Sequence, residues 1–163
     1  MESKSEKLSP SAQRVQEALH GRGVQLKVVE LPESTRTAKE AAQAVGCEVG
    51  QIAKSLIFRS EPSGDPVLVI ASGVNRVDEH LVGDYVGEEV VIANADYVHE
   101  VTGFAIGGVP PVGHSSNMKT IVDEDLMRFE EIWAAAGTPN AVFKLTSEML
   151  TEITGGIVLK IAI

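Results

Sequence analysis

Apolar residues along this chain change period many times, and the changes mark short elements of both kinds. Behind Ser9-Pro10, Val15, Ala18 and Leu19 recur at helical spacing. Ser9 is a candidate N-cap, Pro10 suits the first helical position, and Gly21 or Gly23 ends the stripe. Residues 24–31 read as a strand and 32–36 as a loop. Thr37 with Glu40 has the form of a capping box, so Ala38, Ala41, Ala42 and Val45 make a short helix closed by Gly46. Residues 52–58 and 67–71 are apolar strands joined by a turn-rich segment over 61–66, a hairpin. Asp78 caps a helix through Val82, and residues 89–93 form a short strand. Asn94 caps a helix carrying Ala95, Val98 and Val101, stopped by Gly103. Residues 120–122 and 141–145 are further strands, and 126–136 fits helix or strand. Thr146 caps a helix through Ile153, and Gly155-Gly156 leads to a last strand over 157–163. Short helices interleaved with strands, at least two of them an antiparallel pair, predict an α+β fold on a mixed sheet, not a doubly wound parallel one.

The length, 163 residues, fits one domain with a sizeable core, and 44% hydrophobic residues is a globular composition. Residues 1–8 are expected to be flexible. The polar N-terminus has no signal-like apolar region, and no run approaches the roughly 18 apolar residues of a membrane span. A soluble, cytoplasmic protein is expected, without a membrane partner. The single cysteine, Cys47, rules out an internal disulfide and a Cys-rich zinc site. It reads as a buried or half-buried bystander with no histidine near it in sequence. His20, His80 and His99 fall on predicted helices as surface residues, and no histidine pair has metal-ligand spacing, so neither metal nor cofactor is expected.

A net charge of −9 argues against broad, salt-driven binding along a nucleic-acid backbone. It leaves room for a small pocket that takes only the end of such a chain. The basic residues Arg36, Lys39, Lys54, Arg59, Arg76 and Lys119 are dispersed; they either converge in space as a basic mouth or scatter over the surface.

Two segments carry candidate chemistry. In Gly107-Gly108-Val109-Pro110-Pro111-Val112-Gly113-His114, the prolines exclude a helix or central strand, and the glycines allow positive φ and close backbone approach. Such a loop is either a tight structural turn or a frame holding bare N–H groups toward a carbonyl or phosphate oxygen. Upstream, Lys54 interrupts an apolar strand, on one face with Ile52, Leu56 and Phe58. A lysine there must snorkel, pair or face a cavity.

Together, Gly50-Gln51-Ile52-Ala53-Lys54-Ser55-Leu56-Ile57-Phe58 and the glycine–proline loop resemble the YbaK/EbsC-type aminoacyl-tRNA deacylases, relatives of the editing domain inserted in bacterial prolyl-tRNA synthetases. The stretches over 37–42, 69–78 and 136–143 match the same pattern, so the resemblance runs from about Pro10 to the C-terminus. It implies a curved, partly closed mixed sheet flanked by short helices, with a pocket at one end. It also implies that Lys54 faces that pocket and is needed for activity, holding the terminal phosphate or ribose and stabilising developing charge. Gly107, Gly108 and Pro111 match the family's glycine–proline element, a backbone clamp for the ester carbonyl. Ser55, Ser72, Pro110, Gly113, His114 and Thr138 are the expected substrate-binding positions. His114 reads equally as a capping or backbone-bonded residue. Thr138 stands where several relatives acting on alanyl esters carry histidine.

The expected function is trans-editing: hydrolysis of a mischarged aminoacyl-tRNA, on tRNA(Pro) carrying a small amino acid such as alanine or cysteine. The expected partners are the tRNA acceptor end and prolyl-tRNA synthetase, with the protein a monomer or homodimer. A rival reading is a non-catalytic module binding aminoacyl-tRNA ends or a related acyl ligand. A third is a Schiff-base enzyme with Lys54 as nucleophile.

Overall fold

The computed structural model describes residues 7–163. The expected flexible segment therefore lies, apart from Lys7 and Leu8, outside the described residues; Leu8 itself packs against the main core. Among the described residues eight strands form one mixed sheet: β1 (Val28–Glu30), β2 (Ile52–Glu61), β3 (Pro66–Ser72), β4 (Glu89–Ile92), β5 (Lys119–Asp123), β6 (Glu131–Ala135), β7 (Ala141–Thr146) and β8 (Ile157–Leu159). Their order is β1-β7-β6-β2-β3-β5-β8, with β4 branching off β2. Pairs β2–β6, β3–β5 and β5–β8 are parallel and the rest antiparallel. The α+β class with a mixed sheet is what the chain adopts.

Among the described residues five short helices flank the sheet: α1 (Pro10–Gly21), α2 (Ala38–Val45), α3 (Glu79–Val86), α4 (Ala95–Thr102) and α5 (Ser147–Thr154). Local chemistry sets most of their limits. Thr37 and Glu40 close the expected capping box on α2, and Gly46 ends it at φ 78°. Asp78, Asn94 and Thr146 cap α3, α4 and α5 through their side-chain oxygens. Ser9 departs from expectation. It precedes α1 but makes no side-chain cap; its Oγ and N instead donate to the Glu30 carboxylate at 2.9 and 2.8 Å. The first strand is also shorter than the sequence implies. The Gln16 side chain takes the Val28 N–H and the Leu26 carbonyl, occupying groups a longer ladder would use. The ambiguous stretch resolves into a 3-10 turn over Glu124–Arg128 followed by β6. The last strand stops at Leu159, with only an isolated bridge between Val77 and Ala162 beyond it.

The larger core buries Ala12, Val15 and Leu19 of α1 against Ile57, Phe104, Phe143 and Leu150. A second cluster on Phe58, Val69, Val82 and Ile161 covers the other side near β3. Strand β2 ties these parts together. One of its edges pairs with β3 from Ala53 to Arg59. Its other edge meets β6 only at Ile52 and Ala53 and meets β4 only from Phe58 to Glu61. Residues 54–57 therefore have a strand neighbour on one edge and a gap on the other.

Candidate functional site

A cavity of about 370 Å³ opens at that gap. Residues 52–57 of β2 form one wall, Thr35 to Ala38 and Ala41 at the start of α2 another. Ile106, Gly107 and Val109 of the glycine–proline loop, with Ala93 and Val98, close it from the α4 side, and Trp133 and Ala134 of β6 form its floor. The wall is mostly apolar, so each polar group in it stands out. The Thr35 hydroxyl is bonded to the Pro139 carbonyl and the Thr37 hydroxyl caps α2. Arg36, Lys54 and Ser55 remain.

Lys54 is half-buried in the lining, and no ion pair engages it among the described residues. Burial pushes its pKa below the ordinary lysine value, and the charge of Asp123 pulls it back up. Register explains that coupling. Lys54 pairs with Ala71 of β3, and Ile70 beside it pairs with Val122 of β5. The next step of the same register sets Ala71 beside Asp123, so lysine, alanine and aspartate follow one another across three strands on one face. Asp123 is fully buried, and its carboxylate accepts from Ser72 N, Asn75 Nδ2 and Asp125 N at 3.0, 2.8 and 3.0 Å.

The glycine–proline loop divides between two places. Gly107 and Val109 line the main cavity. Gly107 has φ 98°, and a Cβ there would stand 2.9 Å from Cγ of Arg36, whose stem lies over it. Gly108 turns away: its N–H donates to Ala105 O, and its carbonyl accepts from Gly137 N at 2.8 Å. Pro110 and Pro111 are buried. Pro111 and His114 line a separate, smaller cavity of about 120 Å³ with Arg22, Thr120 and Thr154. The His114 Nε2–H donates to Pro110 O at 2.6 Å, which fixes the loop from behind. Burial is the largest influence on His114 and lowers its pKa; the Pro110 bond opposes this and Arg22 adds to it. Gly113, at φ 88°, turns the chain beside Ala18 of α1.

The remaining expected positions are also spread out. Ser55 lines the cavity, and its hydroxyl is buried without a partner. Ser72 is buried outside the cavity lining; its Oγ donates to Gly50 O at 2.7 Å and secures the entry to β2. Thr138 also lies outside the lining, its hydroxyl donating to Asn140 Oδ1 at 3.0 Å. Thus Lys54, Ser55 and Gly107 meet at one cavity, Gly108 and Thr138 pack behind it, and Ser72, Pro111 and His114 stand apart.

Nor do the six basic residues converge. Arg36 and Lys54 reach the cavity, Arg59 pairs with Glu61 at 2.7 Å, and Lys119 lines a different depression beside Ser60 and Glu88. Cys47 is half-buried, its thiol pushed up by burial and by Glu48. His20, His80 and His99 are exposed. Among the described residues no three His, Cys, Asp or Glu side chains stand together as metal ligands, and no helix is long and apolar enough to cross a membrane. Sequence reasoning passed over Ala41, Ile106 and Trp133, because apolar residues that line a cavity read like any other core residue.

Comparison with known proteins identifies the family. Residues 32–153 match the family model of the aminoacyl-tRNA editing domain. The uncharacterized protein YwhH of Bacillus subtilis is 34% identical over 128 residues, 78% of this chain and 80% of that protein. The "Putative Cys-tRNA(Pro)/Cys-tRNA(Cys) deacylase EbsC" of Enterococcus faecalis is 26% identical over 127 residues, 72% of this chain and 77% of that one. A solved structure described as "a putative trans-editing enzyme for prolyl tRNA synthetase" superposes with a TM-score of 0.91 at 54% identity, covering 96% of this chain and 99% of the other. The chain belongs to the aminoacyl-tRNA editing domain family and is an aminoacyl-tRNA deacylase.

Proposed function

We propose that this protein is a trans-editing hydrolase that removes a small, wrong amino acid, such as alanine or cysteine, from tRNA(Pro). The observation that carries the reading is the meeting of Lys54 and Gly107 at one largely apolar cavity of about 370 Å³. Similarity to a putative Cys-tRNA(Pro)/Cys-tRNA(Cys) deacylase and to a putative trans-editing enzyme for prolyl tRNA synthetase supports tRNA(Pro) as the substrate.

The reaction is ester hydrolysis. Water adds to the ester carbonyl carbon, the bond to the ribose oxygen breaks, and a proton passes to that oxygen. Free amino acid and tRNA with its hydroxyl restored are the products. Developing negative charge on the carbonyl oxygen needs fixed donors and a cation nearby. Lys54 serves as the cation and holds the terminal phosphate or ribose. In this role it acts as the ammonium, which has no lone pair, so another group takes the proton of the water. The loop can give the carbonyl oxygen only a few donors. Pro110 and Pro111 have no N–H and that of Gly108 is spent on Ala105, whereas among the described residues nothing accepts from the N–H of Gly107 or Val109. A ribose hydroxyl or the substrate's amino group orients the water. Pro111, His114 and Thr138 act as positioning residues that hold the loop. The cavity admits small side chains and rejects large ones, the second sieve of an editing system. Arg36, exposed at the mouth with its stem over Gly107, meets the acceptor-end backbone.

The test is a panel of alanyl, cysteinyl, seryl and prolyl esters of tRNA(Pro) and of each cognate tRNA, with ester loss followed against buffer. Faster loss from alanyl- or cysteinyl-tRNA(Pro) than from prolyl-tRNA(Pro) is expected. Equal loss from all, or none, contradicts the reading.

A further inference from the structure

The gap beside β2 leaves main-chain groups, as well as side chains, facing the cavity. Gly73 N donates to Ile52 O, and Ser60 N donates to Asp65 O. In an antiparallel pair the bonded residues alternate, so Ile52, Lys54, Leu56 and Phe58 exchange their bonds with β3. Ala53, Ser55 and Ile57 turn their N–H and C=O to the opposite edge. Ala53 is taken up by the β6 ladder, and Ile57 O accepts from Ala93 N at 3.0 Å. Ser55 lies between the two ladders. Among the described residues nothing engages its N–H or its C=O, and its hydroxyl also lacks a partner.

Buried main-chain groups are almost always paired, because leaving one unpaired costs about as much as a lost hydrogen bond. Ser55 is half-buried, and its N–H and C=O sit side by side in the mostly apolar cavity wall, both unpaired among the described residues. That is half of the hydrogen-bonded pair of an antiparallel sheet. The matching half is a group with a donor and a carbonyl one carbon apart, and an aminoacyl ester is such a group: α-ammonium, α-carbon, ester carbonyl.

We infer that the main chain of Ser55 reads the aminoacyl group as a one-residue strand partner. The Ser55 C=O accepts from the α-ammonium, and the Ser55 N–H donates to the ester carbonyl oxygen. The second lone pair of that oxygen remains for the Gly107 loop, so the two segments form a two-donor hole for the oxyanion. Recognition through the main chain selects the α-amino ester whatever the amino-acid side chain; size selection falls to the apolar wall. This rests on the reading above, that the substrate is an aminoacyl ester.

The test replaces the α-ammonium while the protein stays intact. Nitrous acid converts alanyl-tRNA to lactyl-tRNA, which carries a hydroxyl instead. Rates are taken relative to each ester's loss in buffer, for the wild type, Ser55→Ala and Ser55→Pro. Because hydrogen bonds to charged groups are the stronger ones, the wild type is expected to prefer the alanyl ester by about 10- to 100-fold in kcat/KM. Ser55→Ala keeps both main-chain groups and should keep that ratio, whatever its rate. Ser55→Pro lacks the N–H, at a point where the sheet makes no use of it. Its rate should fall by about 100- to 1,000-fold, as for loss of an oxyanion donor. Equal use of both esters by an active wild type, a ratio that collapses in Ser55→Ala, or a folded Ser55→Pro with wild-type rate each overturns the inference. If Ser55→Pro does not fold, the ratios in the other two proteins decide. A wild type inert toward every aminoacyl-tRNA removes the underlying reading and this inference with it, whereas activity without discrimination removes the inference alone.

Discussion

Gly108 lies directly against the main chain of Thr138: a Cβ at Gly108 would stand 2.8 Å from Thr138 N and 2.9 Å from its Cα. The obstacle is backbone, which cannot rotate aside. Gly137 N donates to Gly108 O at 2.8 Å, so the two turns are bonded as well as packed. Gly108→Val should therefore act first on stability, by about 1–3 kcal/mol as overpacking does, and on activity through the displaced loop. Gly107→Ala meets the flexible stem of Arg36 but imposes an alanine on φ 98°, a strain of about 1–3 kcal/mol. Urea melts of both variants check this. A Gly108→Val protein as stable as the wild type would show that the two turns do not pack as described.

Thr138 is held to its own turn by the bond to Asn140. Thr138→Val keeps the volume and loses that bond, which should cost about 1 kcal/mol of stability. Its side chain is not part of the cavity wall, so the rate ratios among alanyl, cysteinyl, seryl and prolyl esters should hold. Ratios that move would bring the Thr138 hydroxyl to the substrate.

Activity that needs the Lys54 ammonium must decline as pH rises through the Lys54 pKa. Burial lowers that pKa, so the decline begins below the range of an ordinary lysine, while Asp123 opposes the shift. Asp123→Asn removes the opposing charge and should move the alkaline limb of kcat/KM to still lower pH. A pH–rate profile corrected for spontaneous ester loss measures it. A limb that stays in place in a folded Asp123→Asn protein would separate the two residues.

His114 links stability to pH in the acid direction. Its pKa is lowered in the folded state, so between the folded and unfolded values the unfolded chain binds more protons. Stability should therefore rise with pH across that window and be lost as pH falls below about 6.5, the ordinary histidine value. His114→Gln retains a donor for Pro110 and cannot titrate; its melting temperature should be flatter over the same range. Parallel slopes in the two proteins would assign the acid sensitivity elsewhere.

Much of the fold was legible because local chemistry decides it. Thr37, Asp78, Asn94 and Thr146 announce their helices by capping, and the apolar runs around Ile57 and Val69 announce the hairpin. Ser9 misled, because its hydroxyl is claimed by Glu30 from a distant strand. Within the site, Lys54 was visible as a charge in an apolar strand. The division of the loop was not: Gly107 and His114 are seven positions apart in one motif, yet they line different cavities because Pro110 and Pro111 are buried between them. The gap that bares Ser55 was equally hidden, since it arises from where β6 and β4 stop, and strand pairing is not written in either strand alone.

The most direct measurement of the central claim is single-turnover hydrolysis of alanyl-tRNA(Pro) by the wild type and by Lys54→Ala, with melting curves for both. A wild type that clears the ester, beside an equally stable Lys54→Ala slower by about 100-fold or more, is the predicted result. Lys54→Ala with undiminished turnover would contradict the placement of the editing site at this cavity.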